Sequence, residues 1–205
     1  MLSRTPFIQP QLATLRTAPP AGPQWCHEVK FDGFRIQLHK SGREVAVYSR
    51  RGFDCTPKYP TIADATRKLP TRAVILDGEL TSCDLDGRPN FHALLGKRYG
   101  HLCVWVFDIL SQNGKDLRGL PLSDRREKLS RLMERMESEV IQLSETFPDP
   151  HVLLRHCSER KLEGIVSKRS DKPYVSGKSS DWIKVKCPQW IEENTWRHEF
   201  FQKQR

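Results

Sequence analysis

The run Trp25-Cys26-His27-Glu28-Val29-Lys30-Phe31-Asp32-Gly33-Phe34-Arg35 holds the residues from which the rest of the chain is read. Up to Phe31 it has the character of a strand, in which the period of two sends Trp25, His27, Val29 and Phe31 to one face and Cys26, Glu28 and Lys30 to the other. A carboxylate and an ammonium thus share a surface. Asp32-Gly33 reads as a tight turn, after which Phe34, Ile36 and Leu38 alternate with Arg35, Gln37 and His39 in a second strand. A lysine fixed at the end of a rigid strand can serve as a nucleophile. Strand ends also carry lysines by chance, so this one stretch does not establish a reaction.

Further segments follow in order: Ser49-Arg50-Arg51-Gly52, Leu76-Asp77-Gly78-Glu79-Leu80, Phe107-Asp108-Ile109-Leu110, Glu163-Gly164-Ile165-Val166-Ser167-Lys168 and Trp182-Ile183-Lys184-Val185-Lys186. With Lys30, Asp32, Gly33 and Arg35 they make a set that resembles the motifs of the covalent nucleotidyltransferases, the DNA ligases, RNA ligases and mRNA capping enzymes that carry AMP or GMP on a lysine. The text around Asp116-Leu117-Arg118-Gly119-Leu120-Pro121-Leu122 and from Pro173 to Trp182 is most similar to the ATP-dependent ligase domain of bacterial end-joining DNA ligases. The resemblance runs from about Pro10 to Cys187. It implies the nucleotidyltransferase (ATP-grasp-like) fold, two mainly antiparallel sheets with flanking helices around a nucleotide cleft.

Composition narrows the options independently. The 205 residues suffice for one good core. Net charge is +9, and residues 155–188 hold nine Lys/Arg against four Asp/Glu, a surplus suited to nucleotide phosphates or a nucleic-acid backbone. No two of the six cysteines lie closer than 20 positions, which excludes CxxC zinc knuckles and points to buried thiols in a reducing cytosol. With no signal peptide and no membrane-spanning run, the expected location is the cytoplasm of a bacterial-type cell.

Residues 1–24 hold five of the 14 prolines and read as an extended arm that wraps a surface. Strands are expected at 44–49, 73–76, 79–83, 102–110, 163–168 and 182–186, with short helices near 61–69 and 91–95. Leu129, Leu132, Met133 and Met136 recur at helical spacing and predict a helix over 124–137 with Ser123 as N-cap and both methionines in the core. Asp149-Pro150 predicts another helix to about Arg160. Strands in runs with irregularly placed helices indicate an α+β fold. Residues 25–188 form the expected adenylation domain and 189–205 a tail with Trp190, Trp196, Phe200 and Phe201, expected to pack on the domain's own surface. Gly177-Lys178-Ser179 is not a P-loop, because Lys172 stands where its first glycine belongs.

The resemblance implies that Lys30 attacks the α-phosphate of ATP, leaving a lysine-AMP phosphoramidate. Only the neutral amine can attack, and neighbouring cations favour it. Lys184 and Lys186, on one face of a strand, are the expected cations and phosphate contacts. Glu163, with Glu79, is expected to bind Mg2+ or another divalent cation, and Glu79 also lies near the ribose. Phe107 is expected to stack on the base with Val166 opposite, in a nucleotide site that also includes Lys168. Glu28, an acceptor when ionised, suits the adenine amino group and refuses the guanine carbonyl. Arg35 and Arg50 are expected to meet DNA phosphates at a nick or break, although Arg35 could equally hold the ribose; Arg51 is a weaker candidate.

Similar ligases continue into an OB-fold domain of about a hundred residues with five strands. The 19 residues after Lys186 are too few for that, and the 29 before Lys30 too few for the domain that NAD-dependent ligases add. ATP is therefore the expected donor. Sealing of nicked or broken double-stranded DNA is expected to be weak, or aided by an OB-fold or DNA-binding helper. An RNA ligase shares the same residues. A non-catalytic DNA-binding relative would have no need to keep Lys30, Glu79, Glu163, Lys184 and Lys186 together.

Overall fold

The structure, a computed structural model, describes residues 6–83, 91–96 and 100–196. In chain order the elements are β1 (Gln11–Leu15), β2 (Trp25–Val29), β3 (Phe34–Ser41), β4 (Glu44–Ser49), α1 (Pro60–Arg67), β5 (Ala73–Cys83), α2 (Phe91–Leu95), β6 (His101–Gln112), β7 (Lys115–Asp116), α3 (Leu122–Met133), β8 (Ile141–Leu143), α4 (Pro150–Glu159), β9 (Gly164–Arg169), β10 (Gly177–Lys186) and α5 (Pro188–Glu193). They build a four-stranded sheet, β1-β10-β9-β2, and a larger sheet, β4-β3-β5-β6-β7, with β8 also paired to β6. Most pairings are antiparallel; β1 with β10 and β6 with β8 are parallel. Among the described residues no helix is long and apolar enough to cross a membrane.

Alternation assigns each sheet one apolar and one chemically rich face. In the larger sheet Ile36, Leu38, Leu76, Leu80, Val104, Val106 and Ile109 enter one core with Ile62 and Leu69 from the α1 region and Leu129, Leu132 and Met133 from α3. In the smaller sheet Ile165 and Val185 pack with Leu153 and Cys157 of α4 and with Trp190 of α5. A third cluster, Ile75, Phe107, Leu110, Tyr174 and Trp182, joins the two sheets.

Several expectations need correction. Asp32-Gly33 does not close a hairpin: β2 pairs with β9 in one sheet and β3 with β4 and β5 in the other, so Lys30 to Gly33 is the crossing between sheets. Glycine is required there by close approach, since a Cβ at Gly33 would lie 2.1 Å from the Leu80 carbonyl oxygen. The two strands expected at 73–76 and 79–83 are one strand, β5, with register shifts against β6 at Ile75/Leu76 and Asp77/Gly78. The helix α3 begins before Ser123, with Pro121 at the N-cap, and ends before Met136, which still packs on the core. The proline-rich arm contributes an edge strand, with Gln11 buried. Of the six free cysteines, four are buried and two, Cys26 and Cys55, only partly so.

At α4 the expected cap is present: the Asp149 carboxylate accepts from the N–H groups of His151 and Val152. Trp190 is buried, and Trp196 stacks on His92 of α2 with centroids 4.6 Å apart. Phe200 and Phe201 lie outside the described residues.

Candidate active site

Sheet register brings the smaller sheet's polar residues to one face. Cross-strand partners project to the same side, and Glu28, Val166 and Lys184 form one row, Cys26, Lys168 and Trp182 the next. Lys30 follows directly, its N–H bonded to the Gly164 carbonyl at 2.8 Å, and Gly164 pairs with Lys186. From the larger sheet, the row Arg35, Glu79 and Trp105 faces the same cleft. Residues scattered over more than 150 positions of sequence are thus placed together by strand pairing alone.

The centre is Glu163. Its Oε2 accepts from Lys30 Nζ at 2.6 Å and its Oε1 from Lys186 Nζ at 2.8 Å. Burial would raise this carboxyl, but the Lys30 and Lys186 ammoniums hold it below its ordinary value. Lys184 is lowered, first by burial and then by the charges of Lys30 and Lys186, with Arg50 adding a smaller contribution. Glu79 behaves oppositely: burial lifts it to about 7, against the pull of Lys30 and Arg35. Among the described residues no group of three or more His, Cys, Asp or Glu could hold a metal ion. Glu163 and Glu79 do offer hard oxygens beside the Lys30 and Lys186 ammoniums, a donor set that fits a cation completing its shell with phosphate and water.

Deeper in the cleft, Glu28 is 2% exposed and already engaged, by Lys168 Nζ at 2.7 Å and by the Ser144 hydroxyl at 2.8 Å. Burial lowers the Lys168 ammonium despite the attraction of Glu28. Phe107 occupies a bulge. Gly78 pairs with Val106 and Asp77 with Asp108, which leaves Phe107 as the extra residue of β6. Its ring centroid lies 4.1 Å from Lys168 Nζ and 4.4 Å from the Arg35 guanidinium carbon. A base stacking there must share or displace these cations.

Arg35 is placed differently from a DNA-facing cation. It donates two 2.6 Å hydrogen bonds to Asp77, whose Oδ2 also accepts from the Tyr174 hydroxyl at 2.5 Å. Arg50 and Arg51 are exposed on the loop after β4. Sequence reasoning missed Asp77 as Arg35's partner, although its i, i+2 relation to Glu79 puts both on the cleft face. Ser144 and Arg126 carried no sequence signal. A cavity of about 1380 Å3, lined in part by Val29, Phe31, Trp105, Met133, Phe147 and Leu162, opens beside the cleft, and neither Lys30, Glu79 nor Glu163 lines it.

Two mainly antiparallel sheets joined by the crossing that carries Lys30 are the fold of the nucleotidyltransferase domains of ATP-dependent ligases. More narrowly, the chain belongs to the ATP-dependent DNA ligase domain family, whose model matches residues 10–186. It is 36% identical over 186 residues to the multifunctional non-homologous end joining protein LigD of Pseudomonas aeruginosa, covering 88% of this chain and 22% of that protein. A probable DNA ligase of Streptomyces coelicolor is 34% identical over 175 residues, covering 78% of this chain and 34% of the relative. The ligase domain of M. tuberculosis LigD superposes with a TM-score of 0.79 at 31% identity, over 86% of this chain and 60% of that one. A mycobacterial DNA ligase D complexed with ATP and MES gives 0.78 at 30% identity, over 86% and 59%. The chain therefore spans between about a fifth and a third of the length of these curated relatives.

Proposed function

We propose that this chain is the adenylation domain of an ATP-dependent DNA ligase, with Lys30 as nucleophile. The observation that carries the reading is the Lys30–Glu163–Lys186 clamp, with Lys184 beside it. Lys30, after losing its ammonium proton to solvent, forms a bond from Nζ to the α-phosphorus of ATP as the bond to the bridging oxygen breaks; pyrophosphate leaves with the electron pair and the second proton of the attacking amine passes to solvent. Lys184 and Lys186 supply positive charge where negative charge accumulates, and Glu163 holds Lys30 and Lys186 in register before the nucleotide arrives. Mg2+, when bound at Glu163 and Glu79, would neutralise phosphate charge. Phe107 and Val166 bracket the base, Glu28 reads its edge, and Lys168 and Arg35 close the back of the nucleotide site.

The AMP then passes to a 5′-phosphate of nicked or broken DNA, approached from the side of Arg50 and Arg51. DNA is favoured over RNA by the family match and by the names of the relatives. The described cleft accounts for lysine charging; sealing is proposed to be assisted by an OB-fold or DNA-binding helper, in the cytoplasm. Intact mass after incubation with ATP and Mg2+ tests the reading. A gain of one AMP, reversed by pyrophosphate and absent in Lys30→Ala, supports it; uptake that survives Lys30→Ala sinks it.

A further inference from the structure

Glu28 and Lys168 are each 2% exposed and Ser144 is 1% exposed. Burying an ion pair is expensive, and apolar side chains of similar volume would pack at least as well, so the retained charges call for a reason. The geometry around them is specific. Lys168 Nζ, from β9, donates to one oxygen of Glu28 at 2.7 Å, and the Ser144 hydroxyl donates to the other at 2.8 Å. Ser144 lies on the segment that leaves β8 in the larger sheet and reaches β2 in the smaller one: its N–H bonds the Val106 carbonyl at 2.9 Å, and Phe147 bridges His27 three residues on. Arg126 of α3 secures this strap. It donates to the Ser144 carbonyl at 2.5 Å and to the Phe107 carbonyl at 3.3 Å, and its Nη1 stands 3.9 Å from Glu28 Oε1. One guanidinium therefore links the strand that carries the Phe107 ring, the strap, and the Glu28 carboxylate.

We propose that Ser144 and Arg126 are positioning residues for nucleobase choice: they hold the Glu28 carboxylate and the Phe107 ring in one fixed relation, so that a 6-aminopurine is accepted and a 6-oxopurine refused. The inference rests on the nucleotide site proposed above and adds to it the residues that make it selective. An ionised carboxylate has about four acceptor positions. Two are taken by Lys168 and Ser144, and the others remain for an amino group, whereas a purine carbonyl meets only lone pairs. Without the Ser144 hydroxyl the carboxylate keeps one hydrogen bond, from Lys168, with Arg126 3.9 Å away on the same oxygen, and can turn about its terminal torsion, whose minimum is broad. Discrimination then falls, because it depends on where the acceptor points.

The test compares initial rates of AMP and GMP uptake by intact mass, from ATP and GTP, in the parent, Ser144→Ala, Arg126→Gln, Glu28→Gln and the Ser144→Ala/Glu28→Gln pair. The preference for ATP should fall roughly tenfold or more in Ser144→Ala and in Glu28→Gln, with no further fall in the pair, since Glu28→Gln keeps an acceptor for Lys168 but puts an amide donor on the side that Ser144 holds, and Ser144→Ala unfixes that same side. A merely structural role would lower both uptake rates together and leave their ratio alone; that result overturns the inference, as would equal use of both nucleotides by the parent. Should Arg126→Gln fail to fold, Ser144→Ala decides by itself. A parent that takes up neither nucleotide removes the nucleotide-site reading itself, and this inference with it.

Discussion

Glu79 illustrates how far a single residue's behaviour departs from its type. Burial lifts its carboxyl from an ordinary 4.5 to about 7, with Lys30 and Arg35 opposing and Glu163 and Asp32 adding to the shift. A folded value above the unfolded one means that, between those two pH values, the native protein binds a proton that the unfolded chain has released. The charge at Glu79 therefore costs stability above pH 7, and this cost vanishes as pH falls toward 4. Glu79→Gln should stabilise the nucleotide-free protein by about 3 kcal/mol near pH 8 and leave it unchanged near pH 4. Urea unfolding at the two pH values measures this, and equal stability at pH 8 would remove the electrostatic account. The same variant should take up AMP far more slowly, since it loses a carboxylate of the cleft.

At the scale of elements, the crossing from β2 to β3 and the bulges in β6 shape the cleft. Gly33 has no room for a side chain, because the Leu80 carbonyl stands 2.1 Å from where a Cβ would be. Backbone, unlike a flexible side-chain end, cannot move aside. Gly33→Ala should cost roughly 3 kcal/mol or more and, by displacing Lys30 from Glu163, should depress AMP uptake beyond the loss of folded protein. Normal uptake in the folded fraction would show that the crossing does not set the Lys30 position. The character of most elements was legible beforehand, from alternation in β3 and β4, the helical spacing of Leu129, Leu132 and Met133, and the Asp149-Pro150 start of α4. The bulges were not. A bulge is one extra residue on one strand relative to its partner, a property of the pair that neither strand states by itself.

For the whole molecule, the load falls on contacts between distant layers. Arg125 and Asp108 are fully buried and joined by two 2.8 Å hydrogen bonds, while Arg125 also donates to the Leu120 carbonyl at 2.7 Å and the Lys172 carbonyl at 3.3 Å. Arg125→Met strands a buried carboxylate and should cost roughly 3–5 kcal/mol, much of it recovered when Asp108→Leu is added. A double-mutant cycle by urea unfolding reads the coupling, and additive losses would contradict it. Trp190, in the smaller sheet's core, also lies under the Lys186 ammonium, 4.1 Å from its ring centroid. Trp190→Ala should therefore cost about 3 kcal/mol of stability and slow AMP uptake as well; loss of stability with unchanged uptake by the folded protein would confine Trp190 to packing.

The ordered chemical segments around Lys30, Glu79, Phe107, Glu163, Lys184 and Lys186 are written along the chain, because side-chain type and strand periodicity are local properties. So are the α+β character and the basic surplus of residues 155–188. Folding in three dimensions sets Lys30 on a crossing between sheets, clamps two lysines on one carboxylate, turns Arg35 inward to Asp77, and brings Ser144 and Arg126 to Glu28. Those facts depend on which strands pair, in what register, and on where a connecting strap passes between layers. Such pairings are settled by the joint packing of segments far apart in the chain, which no single segment encodes.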